Sequence, residues 1–110
     1  MIREAARLIS QYGWGKLRGK PAYAVDQGAY GLDLCTAVRW AIGGAKSRAR
    51  DMSNQAMECV SQVIDQLEAH WRESVVDFER RTAGAYPGHV SHELRLAALN
   101  IEGELAEALR

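Results

Sequence analysis

The chain has 110 residues, of which 47% are hydrophobic and 25% are charged. A chain of this length forms one hydrophobic core, and this composition excludes global disorder. The sequence contains no apolar run of the ~18 residues that span a bilayer. We therefore expect a single domain over residues 1–110, without a signal peptide, located in the cytoplasm with Cys35 and Cys59 as reduced thiols.

The formal net charge of zero conceals two oppositely charged halves. Residues 1–50 carry nine basic and three acidic side chains, whereas residues 51–110 carry five arginines and eleven carboxylates. The resulting net charges of +6 and −6 indicate either an electrostatic match between the halves or a basic face that meets an anionic partner.

The N-terminal segments alternate between helical and irregular patterns. Apolar residues spaced by three and four predict an amphipathic helix from Ile2 to Tyr12, which ends at a left-handed Gly13. Residues 14–33 are rich in glycine and lack a helical period, which predicts an irregular loop that can carry a short β-hairpin. Asp33 is a predicted N-cap for a second helix.

The glycine pair Gly43-Gly44 is predicted to end the second helix, and a basic connector follows at 45–50. Ser53 is the predicted N-cap of the third helix. Its apolar residues step by three and four up to Phe78, close to a heptad seam. The sequence leaves open whether this helix runs through Phe78 or breaks near Glu73.

A turn at 82–88 precedes a last helix that is predicted from Val90 to Leu109. Leu96 and Leu99 fall outside its apolar stripe, so the apolar face is unusually wide. The sequence therefore predicts an all-α fold of about four helices. The wide face and the near-heptad seam favour a homodimer through helical apolar faces.

Three motifs resemble a known family. The N-terminal helix ends in Tyr12-Gly13-Trp14, a glycine-rich loop follows, and Cys35 opens a helix of small residues, CTAVRWAIGGA. This arrangement is similar to a family of small actinobacterial and actinophage proteins of unknown function. Its members also carry a Trp-Asn-Asp…Gly-Arg-Thr turn before an acidic C-terminal helix.

The chain departs from that family pattern in the last segment. Phe78, Glu79 and Arg80 stand where the Trp-Asn-Asp signature would fall, and residues 83–87 are an insertion. The resemblance implies a phage or actinobacterial origin. It implies no activity, because the family has no established one.

Catalytic and metal-binding residues are sparse. Cys35 lies near a helix N-terminus, where the helix dipole lowers a thiol pKa, and His89 or His92 could serve as its base in a Cys-dependent hydrolase. The alternative is that Cys35 faces the core beside Val38. Two histidines three residues apart are too few ligands for zinc, so we predict no metal site and no cofactor.

A basic and aromatic surface is the main functional candidate. Aromatic side chains interleaved with cations bind protein partners or single-stranded nucleic acid. The candidate residues are Trp14, Lys16, Arg18, Lys20, Tyr23, Tyr30, Arg39, Lys46, Arg48 and Arg50. The alternative is that Trp14 and Trp40 belong to the core and that the cations pair with the acidic helices.

The sequence favours a non-enzymatic interaction protein whose partner is another protein. The family resemblance implies in addition that the protein is encoded by a phage and that its partner is a host protein. A nucleic-acid-binding module that uses the same surface is the first alternative, and a Cys-dependent hydrolase is the second.

Overall fold

The computed structural model describes residues 1–15 and 31–108, with the side chains of all of these except Ala49 and 102–108. Within these ranges the chain forms five α-helices, and a 3₁₀ turn at Ala49–Asp51 lies in the basic connector. The helices are α1 (Ile2–Tyr12), α2 (Leu34–Gly43), α3 (Asn54–Trp71), α4 (Val75–Arg81) and α5 (Pro87–Ala108). The predicted all-α fold is confirmed.

Both predicted N-caps are confirmed by their hydrogen bonds. The Asp33 carboxylate accepts a bond from the backbone N–H of Thr36 at 2.7 Å, and the Ser53 hydroxyl accepts one from Ala56 at 3.1 Å. Each bond satisfies a backbone donor that has no partner inside the helix. α2 and α3 therefore begin where the sequence indicates.

Gly13 ends α1, but not in the left-handed helical conformation that the sequence predicts. Its φ of 97° is positive, whereas its ψ of 175° is extended. The extended ψ directs the chain toward Leu32, whose N–H donates to the Gly13 carbonyl at 3.0 Å. A glycine is suited to this position because side chains with a Cβ rarely adopt such a φ.

The ends of the glycine-rich loop are joined by backbone pairing. Trp14 and Leu32 form an isolated bridge in parallel orientation, and the Gly31 N–H donates to the Gly15 carbonyl at 2.7 Å. The strands of a hairpin pair in antiparallel orientation, so this bridge is not hairpin pairing. The part of the hairpin prediction for 14–33 that falls on residues 16–30 lies outside the described residues and stays a prediction.

The predicted third helix breaks near Glu73, which was one of the two possibilities left open. Arg72 adopts the left-handed conformation, with φ 55° and ψ 38°. The Glu68 carboxylate then accepts a hydrogen bond from the Val75 N–H at 2.8 Å, and the Ser74 hydroxyl caps α4. This break divides the predicted third helix into α3 and α4, which is why the described residues form five helices instead of about four.

The break brings aromatic side chains together. In a continuous helix Trp71 and Phe78 would lie two turns, about 10.5 Å, apart along the axis. In the structure their ring centroids are 4.0 Å apart and the ring planes differ by 3°. Trp14 packs edge-on against Phe78 at 5.9 Å. Phe78 is fully buried at the centre of this group, which we call the aromatic cluster (Trp14, Trp71 and Phe78).

Arg81 connects the aromatic cluster to α5. Its guanidinium carbon lies 5.3 Å from the Phe78 ring centroid, and its nitrogens contact the carboxylates of Glu73 at 2.7 Å and Glu93 at 3.2 Å. The hydrogen bond to Glu73, together with the one to Glu93, raises the pKa of Arg81 above its ordinary value. These contacts orient α4 against α5.

The core lies where α1 and α3 each pack against both α2 and α5. The predicted stripe of α5 is buried at Val90, Leu94, Ala97 and Ala98. The helix begins at Pro87, three residues before the predicted start, because the fixed φ of proline suits the first turn. Within 1–15 and 31–108, no helix combines the length and apolar content that a membrane crossing requires.

We expect the substitution Arg72→Gly to raise the free energy of unfolding by about 0.5–1 kcal/mol, because glycine adopts a left-handed backbone without the steric cost of a Cβ. Urea denaturation measures the change. Arg72→Ala is the matched control and should give no gain, since alanine meets the same steric cost. Equal losses in both variants would show that the Arg72 side chain itself stabilises the fold.

Candidate functional site: the cleft between α2 and α3

The predicted basic and aromatic surface is only partly described by the structure. Five of its ten residues lie outside the described residues, and their role stays a prediction: Lys16, Arg18, Lys20, Tyr23 and Tyr30. The other five are distributed over the end of α1, the middle of α2 and the basic connector.

The two tryptophans of the first half pack into or against the core. Trp40 is 1% exposed, and its ring meets Tyr12 edge-on at 5.5 Å. Trp14 is half-buried, and its indole N–H donates to the Thr82 carbonyl at 3.2 Å. This placement matches the alternative interpretation of the two tryptophans, and only the exposed part of Trp14 is left for a partner.

The three cations of the basic connector are exposed: Lys46, Arg48 and Arg50. Arg48 pairs with Asp51 at 2.8 Å. Lys46 has a φ of 63°, and Gly44, two residues before it, has a φ of 98°. The positive φ values turn the chain sharply at the end of α2, so that the cations are displayed immediately beyond that helix.

A cleft of about 290 Å³ lies between α2 and α3. Cys35 and Arg39 line it from α2, and an apolar row, Met57, Val60 and Ile64, lines it from α3 together with Ser61 and Asp65. Residues four apart in a helix share a face, which explains why Cys35 and Arg39 both point into the cleft. The row on α3 repeats at i, i+3 and i+7 for the same reason.

Arg39 is the unusual member of this cleft. Its Nε atom is buried, yet it has no hydrogen-bond partner. A buried donor without an acceptor costs about 1–3 kcal/mol, and more when it is charged. The described residues hold four other buried side-chain atoms of this kind, on Trp40, Ser47, Ser91 and Glu93, so the unpartnered Nε does not by itself mark a ligand site.

Cys35 is half-buried, packs against the core and occupies the second position of α2. The described residues that line the cleft around it include no histidine. Cys59, on α3, is also half-buried, and its sulfur lies 3.4 Å from the sulfur of Met1.

The histidines considered as catalytic bases or ligands lie in other parts of the fold. His89 and His92 are exposed in the first turns of α5, and His70 is half-buried near the end of α3. In the part of the chain that the structure describes, no three His, Cys, Asp or Glu side chains are grouped closely enough to hold a metal ion.

The sequence identified Arg39 as one cation among several, and it assigned the apolar row on α3 to a core or dimer seam. It did not indicate that Arg39 would be half-buried beside this row, with its Nε atom covered. The sequence feature that could have indicated this is the spacing of Cys35 and Arg39, which places both on one face of α2. A long cationic side chain on a partly apolar face lies at the edge of a core, with its stem covered.

The comparison with known proteins identifies the family but no activity. A family model described as a family of unknown function, DUF6197, matches residues 1–101. The chain belongs to this family. No curated protein and no solved structure matches the chain.

Proposed function

We propose that this protein is a non-enzymatic, cytoplasmic interaction protein that binds another protein through its basic surface. The observation that carries the proposal is the group of exposed cations, Lys46, Arg48 and Arg50, which the connector displays immediately beyond α2. A cluster of exposed cations attracts an anionic surface of a partner and raises the rate of association. Arginine is also enriched among the residues that dominate binding energy in protein interfaces.

The finer parts of the proposal are that the protein is phage-encoded, that its partner is a host protein, and that residues 14–33 contribute to the surface. The sequence resemblance supports the origin, and the cations and aromatic residues of 14–33 support the contribution of the loop. Self-association is a further part of the proposal. Leu96 and Leu99 on α5 support it, since they are 47% and 58% exposed, and sedimentation of the purified protein tests it.

We expect the tagged protein to retain one stoichiometric partner protein from an actinobacterial lysate, with and without nuclease. The double substitution Lys46→Glu/Arg50→Glu should weaken retention about tenfold, because two favourable charge contacts become repulsive. Mass spectrometry identifies the retained protein, and titration of the purified partner gives the affinity. Arg80→Glu is the matched control, because Arg80 is 78% exposed on α4 and carries the same charge.

Two outcomes contradict the proposal. Retained material that disappears after nuclease treatment, and binding that falls steeply between about 50 and 200 mM salt, would identify a nucleic-acid-binding module. Equal retention by the double variant and the wild type would show that the basic connector does not contact the partner.

A further inference from the structure

The last helix, α5, buries one face in the core and leaves leucines on the opposite face. Leu94 and Ala98 are fully buried, whereas Leu96 and Leu99 are 47% and 58% exposed. Positions in line with the two exposed leucines recur along α5 at alternating steps of three and four residues, which is the heptad spacing of a helix–helix contact. We call these positions the outer seam of α5: His89, His92, Leu96, Leu99, Gly103 and Ala106.

The outer seam carries large residues in its first half and small residues in its second half. When two copies of α5 overlap over their full length in antiparallel orientation, position 87 of one copy is opposite position 108 of the other. The resulting pairs across the seam are Leu96 with Leu99, His92 with Gly103, and His89 with Ala106. Each imidazole then faces a small residue, whereas a parallel pair would place two glycines opposite each other and leave a gap.

One flank of the outer seam carries a charge of each sign. Arg95 and Glu102 are seven residues apart and therefore lie on the same side of α5. The guanidinium of Arg95 is exposed and makes no ion pair with any side chain that the structure describes. In the antiparallel pair, Arg95 of each copy is beside position 102 of the other copy. A parallel pair would instead place Arg95 beside Asn100 and Glu102 beside Glu107, without opposite charges at either contact.

We propose that the outer seam binds the outer seam of a second copy of this chain in antiparallel orientation, which gives a symmetric dimer. The seam is complementary to itself in size and in charge, and this identifies the second copy as its occupant. Leu96 and Leu99 of the two copies pack at the centre, and Arg95 of each copy pairs with Glu102 of the other. This inference rests on the self-association that the proposed function includes, and it names the surface and the orientation.

The first test is sedimentation of the full chain at concentrations from about 1 to 500 μM, because a small contact gives a dimer in equilibrium with its monomer. We expect the mass to rise from 12.2 kDa toward twice that value. Leu99→Ala should weaken association about tenfold, since each copy loses an apolar contact. Val76→Ala, at a similarly exposed position on α4, is the matched control and should change nothing. A monomer at every concentration overturns the proposal.

Charge reversal tests the orientation. Arg95→Glu and Glu102→Arg should each weaken association about tenfold, because two favourable pairs become repulsive. The doubly reversed variant Arg95→Glu/Glu102→Arg should recover the wild-type affinity within about threefold, since opposite charges face each other again. Arg80→Glu on α4 should have no effect. Tighter association of Glu102→Arg would indicate a parallel pair, and this result or a failure of the doubly reversed variant to recover overturns the proposal.

Melting temperatures separate association from folding. They are measured at a dilution where the wild type sediments as a monomer. Leu99→Ala and Arg95→Glu should then melt within about 3 °C of the wild type, because both side chains are exposed. If Leu99→Ala melts clearly lower, the charge-reversed variants decide, because recovery in the doubly reversed variant cannot come from damage to the fold.

The outcomes also distinguish this inference from the proposed function. A dimer that is indifferent to Leu99→Ala and Arg95→Glu would leave self-association standing and overturn the outer seam as its surface. A protein that stays monomeric but retains a partner through Lys46 and Arg50 would leave partner binding standing and overturn this inference. A dimer that responds to the variants as expected, in a protein that retains no partner, would contradict the proposed partner binding alone.

Discussion

Phe78→Ala is expected to lower the free energy of unfolding by about 3–5 kcal/mol, the range for a large aromatic side chain removed from a packed core. Phe78 is fully buried. Its ring stacks on Trp71 at 4.0 Å and meets the edge of Trp14 at 5.9 Å. The substitution therefore leaves a cavity and removes both ring contacts together with the cation–π contact from Arg81. Urea denaturation followed by circular dichroism measures the loss.

Val76→Ala is the matched control for Phe78→Ala, because Val76 is on the same short helix and 51% exposed. A loss below about 0.5 kcal/mol is expected there. The fluorescence of Trp71 and Trp14 should also change in Phe78→Ala, since both rings lose their neighbour. A loss for Phe78→Ala as small as that of Val76→Ala would mean that α4 is not packed as described.

Gly31→Ala is expected to destabilise the protein by about 3 kcal/mol, at the upper end of the range for overpacking. A Cβ on Gly31 would lie only 2.5 Å from the carbonyl carbon of Gly13 and would overlap the backbone nitrogen of Trp14. Backbone atoms cannot rotate away as a flexible side chain can. The bridge between Trp14 and Leu32 must therefore open or shift.

Gly88→Ala is the matched control for Gly31→Ala. Gly88 lies in the first turn of α5, and a Cβ there would meet nothing within 4 Å. Because alanine is a better helix former than glycine, this variant should gain a few tenths of a kcal/mol or more. Both variants are compared by chemical denaturation. A Gly31→Ala protein as stable as Gly88→Ala would contradict the close approach of the two loop ends.

The helices could be predicted because their signals are local. Asp33 and Ser53 are N-caps in the sequence and in the structure, since capping involves only the next three residues. The burial of Leu94 and its neighbours follows from the apolar period of α5. These features need no knowledge of the rest of the chain.

The break after Trp71 and the cleft could not be predicted in the same way. The left-handed Arg72 contradicts the usual preference for glycine at such a position, and it is compensated by a bond from Val75 to the Glu68 carboxylate and by the stacking of Phe78 on Trp71. The burial of the Arg39 Nε depends on how α2 packs against α3, which the sequence of neither helix determines.

The pairing of Trp14 with Leu32 allows the length and sequence of segment 16–30 to change at little cost in stability. Both ends of segment 16–30 are held by the scaffold, so the entropic cost of closing that segment rises only with the logarithm of its length. Treated as a random chain, the segment could double in length for about 0.6 kcal/mol. Insertions and exchanges there would leave the helical core intact, and the protein could acquire new specificity without having to evolve a new fold.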